Sequence, residues 1–401
     1  MTFYLQTAWE RAWTSLFHPA TSLFYDCLAE KGLQSLPAPE EIARQYPNPC
    51  GWGTGMEDSM LSAGAVMDIL CFRHAAGDKD APEQAKAVLQ GLRLAATCHG
   101  KTGFFARSVS PFDGKSCYIN SSRDQFTLAV YAAWRCFRNF PALKDEAREL
   151  LVSTARYCEQ VITPESDGNL LRLDGRPGLV SSVWHADPHE MLRLPMFYAA
   201  AWEASGDDHW KKLALQYALP GADATLRMNE AGLWWWDITV SQMQISLAVL
   251  SSIAIGDEAL HQKYRKAMDL NRIHTLEIFR KQLQEAEAFT GDWTAAAPDW
   301  RTCPMHLAQP PNVPRDDGIF EGFVYANPRR PEDFQQVMEF TRSLGNLLFT
   351  LSLDPAAEPE PDMLPRYRNL LEKMDMKNMN VNGILQLQQG LWHAASRRWT
   401  A

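Results

Sequence analysis

Segments of helical period run along this chain, and two kinds of connection alternate between them. Leu61, Ala65, Ile69 and Phe72 repeat at steps of three and four after Asp58, and Phe126, Val130, Trp134 and Phe137 do so after Asp124. The same spacing recurs after Asp187 and Asp237. One kind of connection is short and built on Gly, Pro, Asn and Asp, as in Ala76-Gly77-Asp78, Asn139-Phe140-Pro141 and Ser205-Gly206-Asp207. The other is long and rich in aromatic residues: 46–57, 101–123, 163–187, 230–237 and 289–331. In consecutive antiparallel hairpins such alternation puts every short turn at one end and every long loop at the other. Helices are expected near 20–31, 58–76, 82–99, 122–139, 143–161, 188–205, 207–228, 239–255, 257–287, 332–353, 362–374 and 382–398. The short turns at Gly77, Pro141 and Gly206 are 64 and 65 residues apart, each interval holding two helices and one long loop. The expectation is an all-α chain, one domain over 1–401, closed as an (α/α)6 barrel with an open helical solenoid as the alternative. Inner helices would follow the long loops, and a pocket is expected on the long-loop rim.

Composition narrows the functional classes. A formal net charge of −9 without a long basic run argues against a nucleic-acid partner. The longest apolar stretch, near 245–255, is too short and too interrupted by serine to span a bilayer, so no membrane partner is expected. The first residues show neither a basic segment nor an apolar one, which predicts no signal peptide and a cytoplasmic location. Eight cysteines are scattered singly with no C-x-x-C pair, the usage of a reducing compartment. No phosphate-cradling loop and no nucleophilic serine motif is present, and no cofactor is implied.

The rim carries the chemistry. Four inner helices begin with the pattern of a capping box: Thr54 to Glu57, Ser122 to Gln125, Asp187 to Glu190 and Thr239 to Gln242. Capping alone would account for Glu57, Gln125, Glu190 and Gln242. The flanking residues ask for more. Cys50-Gly-Trp-Gly-Thr-Gly-Met-Glu-Asp58 sets three glycines around Trp52, beside two consecutive carboxylates. Tyr118-Ile-Asn-Ser-Ser-Arg-Asp-Gln125 gathers Arg123, Asp124 and Gln125 at a helix start, where the helix dipole by itself would favour the carboxylate. Trp184, His185 and His189 surround the third start, and Trp234-Trp235-Trp236-Asp237 precedes the fourth. Pyranose rings stack their C–H faces on tryptophan and offer hydroxyls to Asp, Arg, Gln and His. Glycosidic hydrolysis needs one protonated carboxyl and a second carboxylate. His185 and His189 at i, i+4 spacing could suggest a metal, but Pro188 starts the helix between them, so no metal is expected. Residues 312–325, rich in Pro and Gly, form either a segment that closes over the pocket or a solvated insertion.

On these rim segments the chain resembles the six-hairpin glycosidase superfamily, including unsaturated glucuronyl hydrolases and related glycoside hydrolases. The resemblance covers nearly the whole chain as architecture. It implies a glycoside hydrolase acting on an oligosaccharide, with uronic acid as one sugar class, and an acidic residue at the starts of two successive inner helices. Asp58 and Asp124 match those positions. Asp124 is then expected as general acid and Asp58 or Glu57 as the base. Trp52, Arg123, Gln125, Trp184, His185, His189, Trp235, Trp236 and Asp237 are the candidate substrate-binding residues. A sugar epimerase of the N-acylglucosamine 2-epimerase type, using His185 and His189, is the second reading. A non-catalytic carbohydrate-binding protein is the third.

Overall fold

The computed structural model describes residues 2–27, 32–184, 190–230, 237–253, 256–307 and 326–399. The chain is all-α in character. Its described helices are α1 (Thr2–Ser15), α2 (Pro39–Ala43), α3 (Ser59–Ala75), α4 (Ala81–Thr97), α5 (Arg123–Asn139), α6 (Lys144–Val161), α7 (Arg193–Ser205), α8 (Asp208–Glu230), α9 (Asp237–Ser252), α10 (Glu258–Ala288), α11 (Glu332–Leu353), α12 (Met363–Lys373) and α13 (Gly383–Ser396). Strand is confined, among the described residues, to three two-stranded antiparallel hairpins: β1 (Phe17–His18) with β2 (Leu23–Phe24), β3 (Asn169–Leu171) with β4 (Pro177–Ser182), and β5 (Met305–Leu307) with β6 (Ala326–Pro328). No described helix is long and apolar enough to cross a membrane.

Two expected helices are corrected. Residues 20–27 are not helical: they form a tight turn and strand β2, with Ser22 at φ 54° and the Ser22 amide donating to His18 O at 2.8 Å. The aromatic and β-branched run Thr-Ser-Leu-Phe-Tyr prefers extended backbone. The helix lies instead at α1, where Ala8, Trp9 and Ala12 are buried at helical spacing, with Leu16 buried just past its end. The helix expected from 188 begins at Arg193, five residues later.

The chain forms two compact units: Ser15–Ala186 with Ala296–Glu332, and Met1–Thr14 with Asp187–Ala295 and Asp333–Ala401. In the first, α3 and α5 pack on each other, α4 on α3 and α6 on α5. Every residue of α3 from Ser59 to Cys71 is buried, and α5 is buried from Gln125 to Trp134. Helices buried all round are core helices, whereas α4 and α6 bury one stripe each. Each large apolar side chain so enclosed contributes roughly 1.5–3 kcal/mol. Within this apolar pair Asp68 of α3, fully buried, meets Arg135 of α5 at 2.8 Å. Such a partner is what makes a carboxylate tolerable there.

The second unit repeats the scheme. Helices α7 and α13 are buried almost throughout and α11 is buried from Ser343 to Ser352, while α10 buries residues at steps of three and four. Helix α11 crosses α13 at glycines: a Cβ on Gly345 would stand 2.2 Å from the Gln386 carbonyl carbon and 2.3 Å from the Leu387 nitrogen, and one on Gly390 would meet Gly345 O at 2.4 Å. Arg11 ties α1 into this unit by donating to Met379 O at 2.9 Å and Asn380 Oδ1 at 2.6 Å.

Alanine is the better helix former by about 1 kcal/mol, so Gly345→Ala on an isolated helix would stabilise. Here the opposing atoms are backbone, and the helices must separate. The substitution is expected to destabilise by about 1–3 kcal/mol, read as a lowered thermal midpoint. An unchanged or raised midpoint would contradict the close crossing.

Candidate functional site

The loop before α3 is built around Asn48. Its Oδ1 accepts from the Cys50 amide at 3.1 Å and the Trp52 amide at 2.9 Å, and its Nδ2 donates to Trp52 O at 3.1 Å. The chain then turns through Gly51 at φ 70° and Gly53 at φ 78°, conformations that side-chain-bearing residues seldom adopt. Neither glycine could carry a Cβ, because the Tyr118 ring stands 2.6 Å from one such position and Pro328 Cδ 2.6 Å from the other. Trp52 is left half-buried, with the Arg107 guanidinium 5.6 Å from its ring centre.

Glu57 and Asp58 sit at the start of α3, with Asp58 in the N-cap position. Its side chain does not cap. The backbone amides of both residues donate instead to the buried Asp26 carboxylate, Glu57 at 2.7 Å and Asp58 at 3.1 and 3.2 Å. Asp58 Oδ1 accepts from Gln125 Nε2 at 2.9 Å and faces Arg107 Nη1 at 3.6 Å. Arg107 and Gln125 also donate to the Glu57 carbonyl, at 2.8 and 3.0 Å. Gln125 Oε1 takes the Met60 amide at 3.2 Å. Among the described residues the buried Nε of Arg107 has no hydrogen-bond partner.

The capping-box expectation is therefore corrected. Thr54 is not the cap of α3: its hydroxyl donates to Gly51 O at 2.5 Å and accepts from the Met56 amide at 3.3 Å. Ser122 does cap α5, taking the Gln125 amide at 3.4 Å, but the Gln125 side chain crosses to α3 instead of folding back. Glu190 pairs with Arg193, which also donates to Gln242, all three buried. In both units the glutamine that looked like a local cap bridges to another element.

Asp124 lies in the first turn of α5 with Arg123 Nε 3.9 Å from its Oδ1, each side chain about one-fifth exposed (19% and 20%). Glu57, Asp58, Gln125, Arg123 and Asp124 thus share one end of the α3–α5 pair, beside Trp52. Trp184 is buried, at 6% exposure. His185, His189, Trp235 and Trp236 lie outside the described residues, as do 312–325, and of Asp237 only its place as the first residue of α9 is described.

The sequence reading missed Asp26, Arg107 and Arg330. Arg330 donates to Cys27 Sγ at 2.9 Å and Gly53 O at 2.6 Å, bracing the loop. A signal existed for Arg107, a charged residue inside the apolar run Phe104-Phe-Ala-Arg-Ser-Val, but no spacing ties it to Asp58. Burial pushes the Glu57 carboxyl above the usual glutamate range, and the neighbouring Asp58 adds to this. Arg330, the Gly53 amide and Arg107 oppose the rise. Among the described residues no group of three or more His, Cys, Asp and Glu side chains is arranged to hold a metal. No protein-family profile matches the chain, and comparison with curated proteins finds no match.

A carboxyl whose folded-state pKa is raised holds its proton longer in the folded than in the unfolded chain. Its stabilising contribution is complete below the ordinary glutamate value of 4.5 and is lost as pH rises through the folded-state value. Glu57→Gln keeps the neutral shape at every pH. The variant is expected to gain stability relative to the parent as pH rises from 4 to about 8, measured by denaturant titration at each pH. A difference that stays flat over that range would show that Glu57 does not carry the shift.

Proposed function

We propose that the chain is a glycoside hydrolase of the six-hairpin kind, an (α/α)6 barrel that cleaves an oligosaccharide with a uronic acid as one sugar class, and that it works in the reducing cytoplasm without a cofactor. The observation that carries this reading is the bridge from Gln125 to Asp58. It joins the starts of α3 and α5, and with them three carboxyl side chains, next to a half-buried tryptophan. The alternation of wholly buried with one-faced helices supports the hairpin architecture. Eight free thiols support a reducing compartment.

In this reading Asp124 delivers a proton to the leaving oxygen and Asp58 orients the attacking water. Arg107 and Gln125 fix Asp58 in one orientation, as a base must be fixed. Trp52 offers a face to a pyranose ring, and Arg123 offers a fork to a sugar carboxylate. The raised pKa of Glu57 favours a second assignment, in which Glu57 is the acid. His185, His189, Trp184, Trp235, Trp236 and Asp237 stay in the binding set on the strength of the sequence. An epimerase would leave the number of reducing ends unchanged and would depend on His185 and His189, whereas a hydrolase creates a reducing end at each turnover. A binding protein would do neither.

The test is a screen of uronic-acid-containing and neutral oligosaccharides for new reducing ends, followed by the single variants. Asp124→Asn and Asp58→Asn are each expected to fold and to lose at least about a hundredfold in kcat/KM. Full activity in Asp124→Asn together with a loss in Glu57→Gln would move the acid role to Glu57. Retention of activity by all three variants would overturn the hydrolase reading.

A further inference from the structure

The first unit contains a small cavity of about 10 Å³, whose wall includes Arg330, the residue that braces Gly53. A space of that size admits one particle about as large as a water molecule. Its polar wall is made by Cys27, Ser35, Thr54, Trp300 and Arg330, and the other lining residues carry no polar side-chain group. Trp300 is 1% exposed and Ser35 2%. Among the described residues neither Trp300 Nε1 nor Ser35 Oγ has a hydrogen-bond partner. An indole N–H can only donate, and burying it unmatched is unfavourable. Both groups are held in place by Arg301. Its guanidinium stands 4.6 Å from the Trp300 ring centre and donates to Ser35 O at 3.4 Å and Leu36 O at 3.1 Å. The Tyr46 ring packs on Trp300 as well, with centroids 5.4 Å apart.

We infer that this cavity is a binding site for one monatomic anion of the chloride class, held by Arg330, the Trp300 indole N–H and the Ser35 hydroxyl. The inventory of donors and acceptors selects the guest. The Thr54 hydroxyl is already engaged, donating to Gly51 O and accepting from the Met56 amide. The Cys27 sulfur accepts from Arg330 Nη1 at 2.9 Å. Burial pushes the Cys27 thiol above its usual range, so it is uncharged and does not neutralise Arg330. Asp26 and Glu57 act on Arg330 electrostatically, but neither carboxylate lines the cavity. The lining side chains thus offer a guest donors and positive charge. A cation would meet the guanidinium. A sulfate, a phosphate or a sugar is too large. A water could accept from the indole, but of the two unmatched groups only the Ser35 oxygen could accept in return, so at least one water hydrogen would find no partner on these side chains. Chloride has no hydrogens to place and accepts from every side, and its hydrogen bonds here are charge-assisted. Bound there, it joins the Trp300 segment to Arg330. Through the Arg330 bond to Gly53 O at 2.6 Å, it steadies the turn that carries Trp52.

Chlorine NMR of the full chain in millimolar sodium chloride tests this, with ionic strength held constant by sodium methanesulfonate. The protein is expected to broaden the chloride line, and added bromide to reverse the broadening by competition. Trp300→Phe keeps a ring for the packing but removes the N–H, and Ser35→Ala removes the hydroxyl. Each is expected to weaken chloride binding at least about tenfold while keeping the parent's circular dichroism. Crystals of the parent grown with bromide locate the ion, and an anomalous peak in the cavity is expected. Because that arm and the competition use the parent chain, they decide the matter even where a variant fails to fold. No bromide-reversible broadening, a cavity that holds water only, or folded variants that both bind chloride as the parent does would overturn the inference. A bromide peak without chloride binding in solution would mark an adventitious ion only, and would overturn it too.

Discussion

Asp26 takes over a task that the start of α3 would otherwise perform for itself. A helix N-terminus leaves amides without intrahelical partners, and the residue at the N-cap commonly turns its own side chain inward to satisfy one. Here the buried Asp26 carboxylate reaches across from the end of the β1–β2 segment and accepts from the amides of Glu57 and Asp58. The cost of burying Asp26 is offset by charge-assisted hydrogen bonds to amides that the helix dipole already makes good donors. The consequence for Asp58 is decisive. Standing at the N-cap but released from capping, its carboxylate faces Gln125 and Arg107 instead. Without Asp26, local geometry would favour drawing that carboxylate back onto its own backbone.

Gln125 is the complementary half of the arrangement. Its side chain satisfies the Glu57 carbonyl, the Met60 amide and the Asp58 carboxylate at once. One fully buried amide therefore fixes the relative position of two core helices at the end where the carboxyl groups gather. The second unit uses the same residue type in the same kind of place: Gln242, in the first turns of α9, accepts from Arg193, which also pairs with Glu190. Unlike a charged bridge, a glutamine can both donate and accept, so it holds two helix starts without adding to the electrostatic load of a carboxylate-rich site.

That dual use explains what the sequence could and could not convey. The helices between short Gly or Pro turns were legible within a few residues, because burial on one or all faces leaves a period in the residue pattern. Residues 20–27 were misread because Leu23 and Phe24 match a helical period as well as a short strand, and only the turn at Ser22 decides between them. A Ser or Thr followed three residues later by Gln or Glu states that a helix begins, and α5 does begin there. It does not state where the longer side chain goes. Asp26 and Arg107 act on a site that lies 32 and 49 residues away in the chain, counted from Asp58. No local pattern encodes such a contact.

The strap between α4 and α5 is anchored at both of its ends. Near its start Arg107 is held by the Glu57 carbonyl. Near its end Tyr118 donates to Tyr46 O at 2.7 Å, the Ile119 amide to Gln45 Oε1 at 3.1 Å, and the Asn120 amide to Pro49 O at 3.1 Å. The exposed tip lies between these anchors, with Phe112 at 51% exposure and Cys117 at its return. The hydrogen bonds of the tip itself are local, from the Ser110 amide to Ser116 O and from Ser116 to Asp113. The tip is thus the part of the strap least coupled to Asp58. The residues that orient the carboxylates and the exposed tip occupy separate stretches of one loop, so the tip can change in sequence without dismantling the contacts around Asp58.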